Sequence, residues 1–180
     1  MESNNFVDYR GGRNLAPIFA DLDADTDLDL LIGSQDGSIQ YWENKGNIEI
    51  PDFVYNPTTF IGVAGGRNSV PLVIDLNKDD INDLIVGNFL GQLYHFKGIK
   101  INNDHRFKLE RRKYLNLDVG IGAVPSIADL NNDQYPELII SSDSGKIKSF
   151  QIDSENSESI NWKNTPNYFE ELKLPVGGNP

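Results

Sequence analysis

Acidic and amide side chains recur in this sequence at a spacing that suits metal coordination. Asp21, Asp23, Asp25 and Asp29, with Asp27 between the last two, fall within one nine-residue stretch. Asp75, Asn77, Asp79 and Asp83 form a second such stretch, and Asp129, Asn131, Asp133 and Glu137 a third. Each set places oxygen donors at positions 1, 3, 5 and 9 of a short loop. Alternate side chains of a tight loop can converge on one point, and the position-7 carbonyls of Asp27, Ile81 and Tyr135 can complete the shell. Hard oxygen donors without nitrogen or sulfur select Ca²⁺ over transition metals, and Mg²⁺ fits less well because it keeps its waters. Up to three Ca²⁺ ions are therefore expected.

An EF-hand begins with the same acidic spacing but needs a bidentate Glu at position 12 and flanking helices. Here position 12 holds Ile32, Val86 and Ile140, each inside an apolar run, so that reading fails. A solvated acidic turn is the plainer alternative for one loop, and three loops in register speak against it. Without a cation each loop crowds carboxylates whose repulsion opposes folding, and a divalent ion removes that repulsion. The charge balance agrees: the formal net charge is −11, and three bound Ca²⁺ would bring it to −5.

The elements that carry these loops repeat. Ala16-Pro17-Ile18-Phe19-Ala20-Asp21-Leu22, Val70-Pro71-Leu72-Val73-Ile74-Asp75-Leu76 and Val124-Pro125-Ser126-Ile127-Ala128-Asp129-Leu130 align without gaps at an offset of 54 residues. Gly37, Gly91 and Gly145 share that offset, as do Phe53 and Phe107. Each unit reads as a strand ending at the Asp, the acidic loop, and a buried apolar strand (Leu30 to Gly33, Leu84 to Gly87, Leu138 to Ser141). A Gly-containing turn then leads to a third strand, and a more variable fourth strand is expected near Phe53, Phe107 and Trp162. No helical periodicity is present.

Four strands per repeat of this size predict an all-β fold of three four-stranded antiparallel β-propeller blades, with a β-sandwich as the competing architecture. The expected repeats are residues 14–67, 68–121 and 122–180, with residues 1–13 the tail of a preceding blade: Phe6 lies 54 residues before Phe60, and Gly11-Gly12-Arg13-Asn14 matches Gly65-Gly66-Arg67-Asn68. Three blades are too few to close a ring, so either a longer array or self-assembly through open blade edges is expected. Gly177-Gly178-Asn179-Pro180 resembles the lead-in to a further blade.

Composition narrows the function classes. With 38% hydrophobic residues the chain is globular, and no apolar run approaches the ~18 residues of a membrane span. The absence of cysteine excludes disulfides and thiol chemistry. Strong net negative charge argues against nucleic acid and anionic membranes as partners. The first residues lack the basic and apolar regions of a secretory signal, which suits either a non-exported protein or a piece of a longer one.

At its strand-loop-strand units, Phe19-Ala20-Asp21-Leu22-Asp23-Ala24-Asp25 through Leu31-Ile32-Gly33 and their two counterparts, the chain resembles the FG-GAP/VCBS repeat family, which includes the propeller of integrin α-subunits and many secreted bacterial proteins. The resemblance covers nearly the whole chain. It departs at loop position 6, where Gly is usual and this sequence has Thr26, Asp80 and Gln134. If that position needs a left-handed backbone, Asp tolerates it better than Thr or Gln. Glu137 stands where Asp is usual. Weak sites in the ~10⁻⁴–10⁻³ M range of extracellular modules are expected, which with the resemblance implies an extracellular or cell-surface protein.

The resemblance implies a binding module for a protein or carbohydrate ligand. Calcium loops would tie strands on one face, and ligands would meet the opposite face of turns and inter-blade connections. Arg13, Arg67 and Phe89 are the candidate ligand contacts there, although shaping turns beside their Gly neighbours is the simpler role for each. A propeller part of a polysaccharide lyase or hydrolase is the alternative, and a structural spacer the third. No catalytic constellation is read: His95 is expected in a strand and His105 in a polar loop, neither with a recurring Ser or Asp partner, and the clustered acids are committed to the loops. Arg111-Arg112-Lys113 reads as an outer strand whose charge blunts an edge. Tyr41, Trp42 and Trp162 read as packing between blades, and residues 153–158 as a polar loop.

Overall fold

The computed structural model describes residues 7, 9, 12–62, 67–101, 104–117, 119–153 and 161–165. The sequence matches at Phe6, Gly11, Phe60 side chain, Gly65, Gly66 and 177–180 lie outside what is described, as do residues 154–158 of the expected polar loop.

Among the described residues, twelve strands form three four-stranded antiparallel sheets. The first holds β1 (Ala16–Ala20), β2 (Asp29–Gly33), β3 (Ser38–Asn44) and β4 (Phe53–Gly62) in sequence order. The second holds β5 (Val70–Ile74), β6 (Asp83–Gly87), β7 (Leu93–Ile101) and β8 (Asp104–Arg111). The third holds β9 (Val124–Ala128), β10 (Glu137–Ser141), β11 (Ile147–Asp153) and β12 (Asn161–Asn164). Pro17, Pro71 and Pro125 cannot donate to a ladder, and each sits on a strand at the edge of its sheet. One turn of 3₁₀ helix, Tyr114–Asn116, lies between the second and third sheets.

Strand alternation explains why the second strands are continuously apolar. Leu84 and Val86 of β6 pack with Leu31, Ile39 and Tyr41 of the first sheet, while Ile85 between them packs with Leu138, Ile140 and Phe150 of the third. All three β6 residues have 0% exposure. The second sheet is thus covered on both faces, and a central strand can have no polar alternate. On the outer faces the cover thins: Ile139 of β10 is partly exposed, and Leu30 and Ile32 are covered by Trp42 and Phe53 of their own sheet together with Val7 and Tyr9. Tyr41 packs between sheets as expected, and Trp162 packs against the cluster joining the second and third sheets. Trp42 instead lies on the outer face of the first sheet, its ring 5.4 Å from that of Tyr55.

Backbone hydrogen bonds repeat the 54-residue offset, first within each sheet and then between neighbouring sheets. Gln35 N donates to Arg13 O at 2.8 Å, Phe89 N to Arg67 O at 2.7 Å and Asp143 N to Ile121 O at 2.9 Å. Ser69 N donates back to Ser34 O, and Ala123 N to Asn88 O, each at 2.9 Å. The turn after each second strand is therefore stitched to the segment entering a first strand. Strand β5 lies beside both β1 and β9, so the first strands of the three sheets are neighbours.

Two elements differ from their expected places. His105 is in β8, not in a polar loop, and is buried with Nε2 at 2.8 Å from the Asn82 carbonyl. Of the basic triplet, Arg111 ends β8 while Arg112 and Lys113 fall in the turn beyond it, because Lys113 adopts a left-handed backbone (φ 52°) that ends strand pairing.

Burial gives His105 a pH signature. Desolvation lowers its pKa from the usual histidine value, against the opposing pull of the Asn82 carbonyl. A histidine kept neutral in the fold contributes fully above its unfolded pKa of about 6.5, and the contribution is lost as pH falls below that. Stability measured by urea unfolding should therefore drop between pH 7.5 and 5 more steeply in the native protein than in His105→Phe, where the ring would still pack against Phe107. Parallel slopes would show that the imidazole is solvated.

Candidate metal centres

Each acidic loop folds on its own carboxylates. In the first, Asp21 accepts from the backbone N–H of Ala24 at 2.7 Å and of Thr26 at 3.1 Å, Asp23 from Asp25 at 3.3 Å, and Asp25 from Asp27 at 3.0 Å. In the second, Asp75 accepts from Asp79 and Asp80, Asn77 Oδ1 from Asp79, and Asp79 from Ile81. In the third, Asp129 accepts from Asn132, Asp133 and Gln134, Asn131 Oδ1 from Asp133, and Asp133 from Tyr135. Short polar side chains that bond the backbone two to five residues on are what close such turns.

The closure requires left-handed residues. Position 6 is left-handed in all three loops, with φ 80° at Thr26, 61° at Asp80 and 71° at Gln134, and position 4 likewise at Ala24, Lys78 and Asn132. The conformation that Gly would adopt freely is thus imposed on Thr, Asp and Gln. A β-branched residue resists it most. Thr26→Gly should raise stability by about 0.5–1 kcal/mol, the relief of left-handed strain less the added freedom of the unfolded chain. Chemical denaturation reads this directly, and Thr26→Ala should give no comparable gain.

The first loop brings three carboxylates together. One oxygen from each of Asp21, Asp23 and Asp25 lies within 4.8 Å of the others, a grouping found at no other His, Cys, Asp or Glu cluster among the described residues. The second and third loops have Asn at position 3, and there the Asn77 and Asn131 amides donate to Asp79 at 2.9 Å and Asp133 at 3.0 Å. Asp27 is buried, and its Oδ1 has no hydrogen-bond partner among the described residues. The side chain of Ile81 and that of Tyr135 are partly exposed, and the Tyr135 ring carries the Lys78 ammonium 4.3 Å from its centroid, joining loops two and three. Asn82 Nδ2 donates to the Asp21 carbonyl at 2.9 Å and joins loops one and two.

Position 9 plays a different part from positions 1, 3 and 5. Asp29, Asp83 and Glu137 are buried at 1%, 3% and 0% exposure, beneath a largely exposed loop. Asp29 accepts from Leu22 N at 3.0 Å, Asn44 N at 2.9 Å and Tyr41 Oη at 3.0 Å. Asp83 accepts from Gly98 N at 2.7 Å and lies 3.3 Å from His95 Nε2, while Glu137 accepts from Leu130 N at 2.7 Å and Asn131 Nδ2 at 3.2 Å. Tyr41 and His95 are one repeat apart, as are Asn44 and Gly98. Asp29 and Asp83 therefore pin the second strand to the third, whereas Glu137 holds the loop above it. Sequence reasoning placed Tyr41 and His95 as structural side chains without finding this partner, although their 54-residue offset was the available signal.

Electrostatics favour a cation here. Burial pushes Asp29 up to about 6, with the three donors and Asp23 as smaller influences of opposing sign. Asp23 is raised too, first by burial and then by Asp25. A raised carboxylate is a charge the fold holds reluctantly at neutral pH, and a divalent ion reverses that cost. All-oxygen donors, preformed loops and an orphaned buried acceptor fit a hard cation such as Ca²⁺. Asp21, Asp23 and Asp25 would hold it in the first loop, with their counterparts in the other two.

Arg13, Arg67 and Phe89 are exposed, and their backbones take part in the turn hydrogen bonds described above, at the opposite strand ends from the acidic loops. No protein-family model and no curated protein sequence matches the chain.

Proposed function

We propose that the chain is a run of three blades of a calcium-binding β-propeller of the FG-GAP/VCBS type, acting as a non-enzymatic binding module of an extracellular or cell-surface protein. The observation that carries the reading is the triplicate loop: three acidic turns of the same backbone shape, left-handed at the same positions, joined side by side at one end of three face-packed sheets. Sheets that pack face to face with their first strands adjacent are what consecutive blades around an axis require. Residues 14–67, 68–121 and 122–180 then correspond to blades, and the outer faces of the first and third sheets to places where further blades or further copies would add.

Calcium in this reading is a structural tie. It would neutralise the carboxylates above the position-9 anchor and hold each loop on its second strand. With one end committed to metal, the opposite end of turns and connections is where a protein or carbohydrate ligand would dock, by way of Arg13, Arg67 and Phe89. Binding to protein and glycan arrays in 2 mM Ca²⁺ tests this. A ligand lost on Arg67→Ala and Phe89→Ala, with melting temperature unchanged, is the expected result. Turnover of a polysaccharide by the purified chain would instead establish the lyase or hydrolase alternative.

A further inference from the structure

A cavity of about 560 Å³ opens where the second sheet hands over to the third, lined by residues 110–116 and Trp162. It lies where the repeat breaks. In the first sheet β4 stays extended through the matching positions Pro57, Thr58 and Thr59, which bulge out of register between the Asn56 and Ile61 pairs with β3. In the second sheet β8 stops at Arg111, and a turn containing three left-handed non-glycine residues follows: Lys113 (φ 52°), Leu115 (φ 64°) and Asn116 (φ 47°). Local strain of this kind persists only when surrounding contacts hold it, and it concentrates at functional sites. Here Tyr114 is the holding contact. It is 4% exposed, its ring is 4.9 Å from that of His95, and its hydroxyl accepts from Trp162 Nε1 at 2.7 Å. That bond leaves the half-exposed Trp162 ring fixed as one wall.

Arg111, Arg112, Lys113 and Glu110 contribute the charged part of the described lining, which is more basic than a chain of net charge −11 would lead one to expect. The Glu110 carboxylate lies 3.7 Å from His95 Nδ1. The cavity lies outside the acidic loops but is joined to the second: His95, which faces Glu110 and the Tyr114 ring, lies 3.3 Å from Asp83.

We propose that this cavity binds an anionic saccharide, a sugar bearing a carboxylate or sulfate group. Guanidinium groups match a planar carboxylate or a sulfate through paired N–H donors, an immobilised indole face suits the apolar face of a pyranose ring, and the volume falls in the range of small-molecule sites. A long polyanion such as nucleic acid is disfavoured by the acidity of the rest of the surface. A bare inorganic anion has no use for the indole wall. No lining residue is itself a metal-loop residue, and because Glu110 and Tyr114 reach Asp83 through His95, titration with and without Ca²⁺ separates this site from the calcium reading.

The test is isothermal titration calorimetry of the full chain, with and without Ca²⁺, against digalacturonate, galactose 6-sulfate, neutral galactobiose, inorganic sulfate and a short oligo-aspartate peptide. At least one charged sugar should bind about ten-fold or more tightly than galactobiose, as one charge-assisted contact would give, and added salt should weaken it. The two charged sugars separate carboxylate from sulfate as the preferred group. Arg111→Ala and Lys113→Gly, the latter suited to the left-handed backbone, should each cost about ten-fold in affinity with unchanged melting temperature. Trp162→Leu should weaken the sugar and leave inorganic sulfate unaffected. The proposal is overturned if galactobiose binds equally well, if inorganic sulfate or the peptide binds as tightly as the sugars, if nothing binds, or if the basic substitutions have no effect.

Discussion

Transferring the protein from EGTA to 2 mM Ca²⁺ at pH 7 should raise its melting temperature by about 10–20 °C. A site with a dissociation constant near 10⁻⁴ M contributes roughly 2 kcal/mol at that concentration, and three contribute about 5. In a domain of this size each kcal/mol moves the midpoint by about 2–4 °C. Asp21→Ala, Asp75→Ala and Asp129→Ala should each remove about a third of the shift. The diagnostic quantity is the difference between calcium and chelator, because each of these carboxylates also closes its loop: Asp21→Ala loses the bonds from Ala24 and Thr26 with or without metal. The gain should also shrink as pH falls through about 6, where Asp29 takes up a proton in the metal-free fold. The sign follows from linkage: a carboxylate raised in the fold stabilises the metal-free protein as pH falls from 6 toward 4, and competes with the cation over the same range. Equal melting temperatures in Ca²⁺ and EGTA would sink the calcium reading and leave the loops as hydrogen-bonded turns.

The second large effect is a single methyl group. Gly87→Ala should lower the stability of unfolding by about 3 kcal/mol or more, read as a fall in the urea midpoint. A Cβ at this position would stand 2.1 Å from the Ala123 carbonyl oxygen and 2.8 Å from Pro125 Cδ. The carbonyl cannot retreat cheaply, because Ala123 N is bonded to Asn88 O and Gly122 N to Phe89 O on the same stitch. The requirement is close approach of two sheets and not a special backbone angle. Gly33 repeats it against Ser69 O, also at 2.1 Å. At the matching position of the third sheet stands Ser141, so Ser141→Ala should change stability by no more than about 0.5 kcal/mol. A mild Gly87→Ala would mean that the sheets do not meet as closely as described.

Much of this architecture was legible beforehand. The repeat offset of 54 residues, the strand order within each sheet, the acidic loops and the buried second strands all appear in the structure where local pattern places them. Such features are written in short-range signals: an apolar run such as Leu84-Ile85-Val86, an Asp followed by alternating oxygens, a Gly after a strand. Left-handed geometry at position 6 was foreseeable as a requirement of the turn, although Thr26 and Gln134 are poor residues for it. Other features were not legible. His105 was placed in a loop because its neighbours are polar, yet pairing with β7 carries it into a buried strand. The basic triplet was placed on an edge strand, and a left-handed Lys113 instead turns it into the wall of a cavity with Trp162, a residue 49 positions later.

The sequence by itself determined the periodic parts: which residues alternate toward a core, where each loop presents oxygen, and which positions correspond between units. These depend on bond geometry over a few residues, and period-2 strands and tight turns leave little choice. Only the tertiary structure decided what crosses between elements. Asp29 and Asp83 became anchors because β3 and β7 bring Tyr41, His95 and two backbone N–H groups over them. Gly87 became indispensable because another sheet's carbonyl comes to rest where its side chain would be. Those relations depend on how whole sheets stack, and stacking is selected by the sum of many buried contacts, not by any residue's own preference.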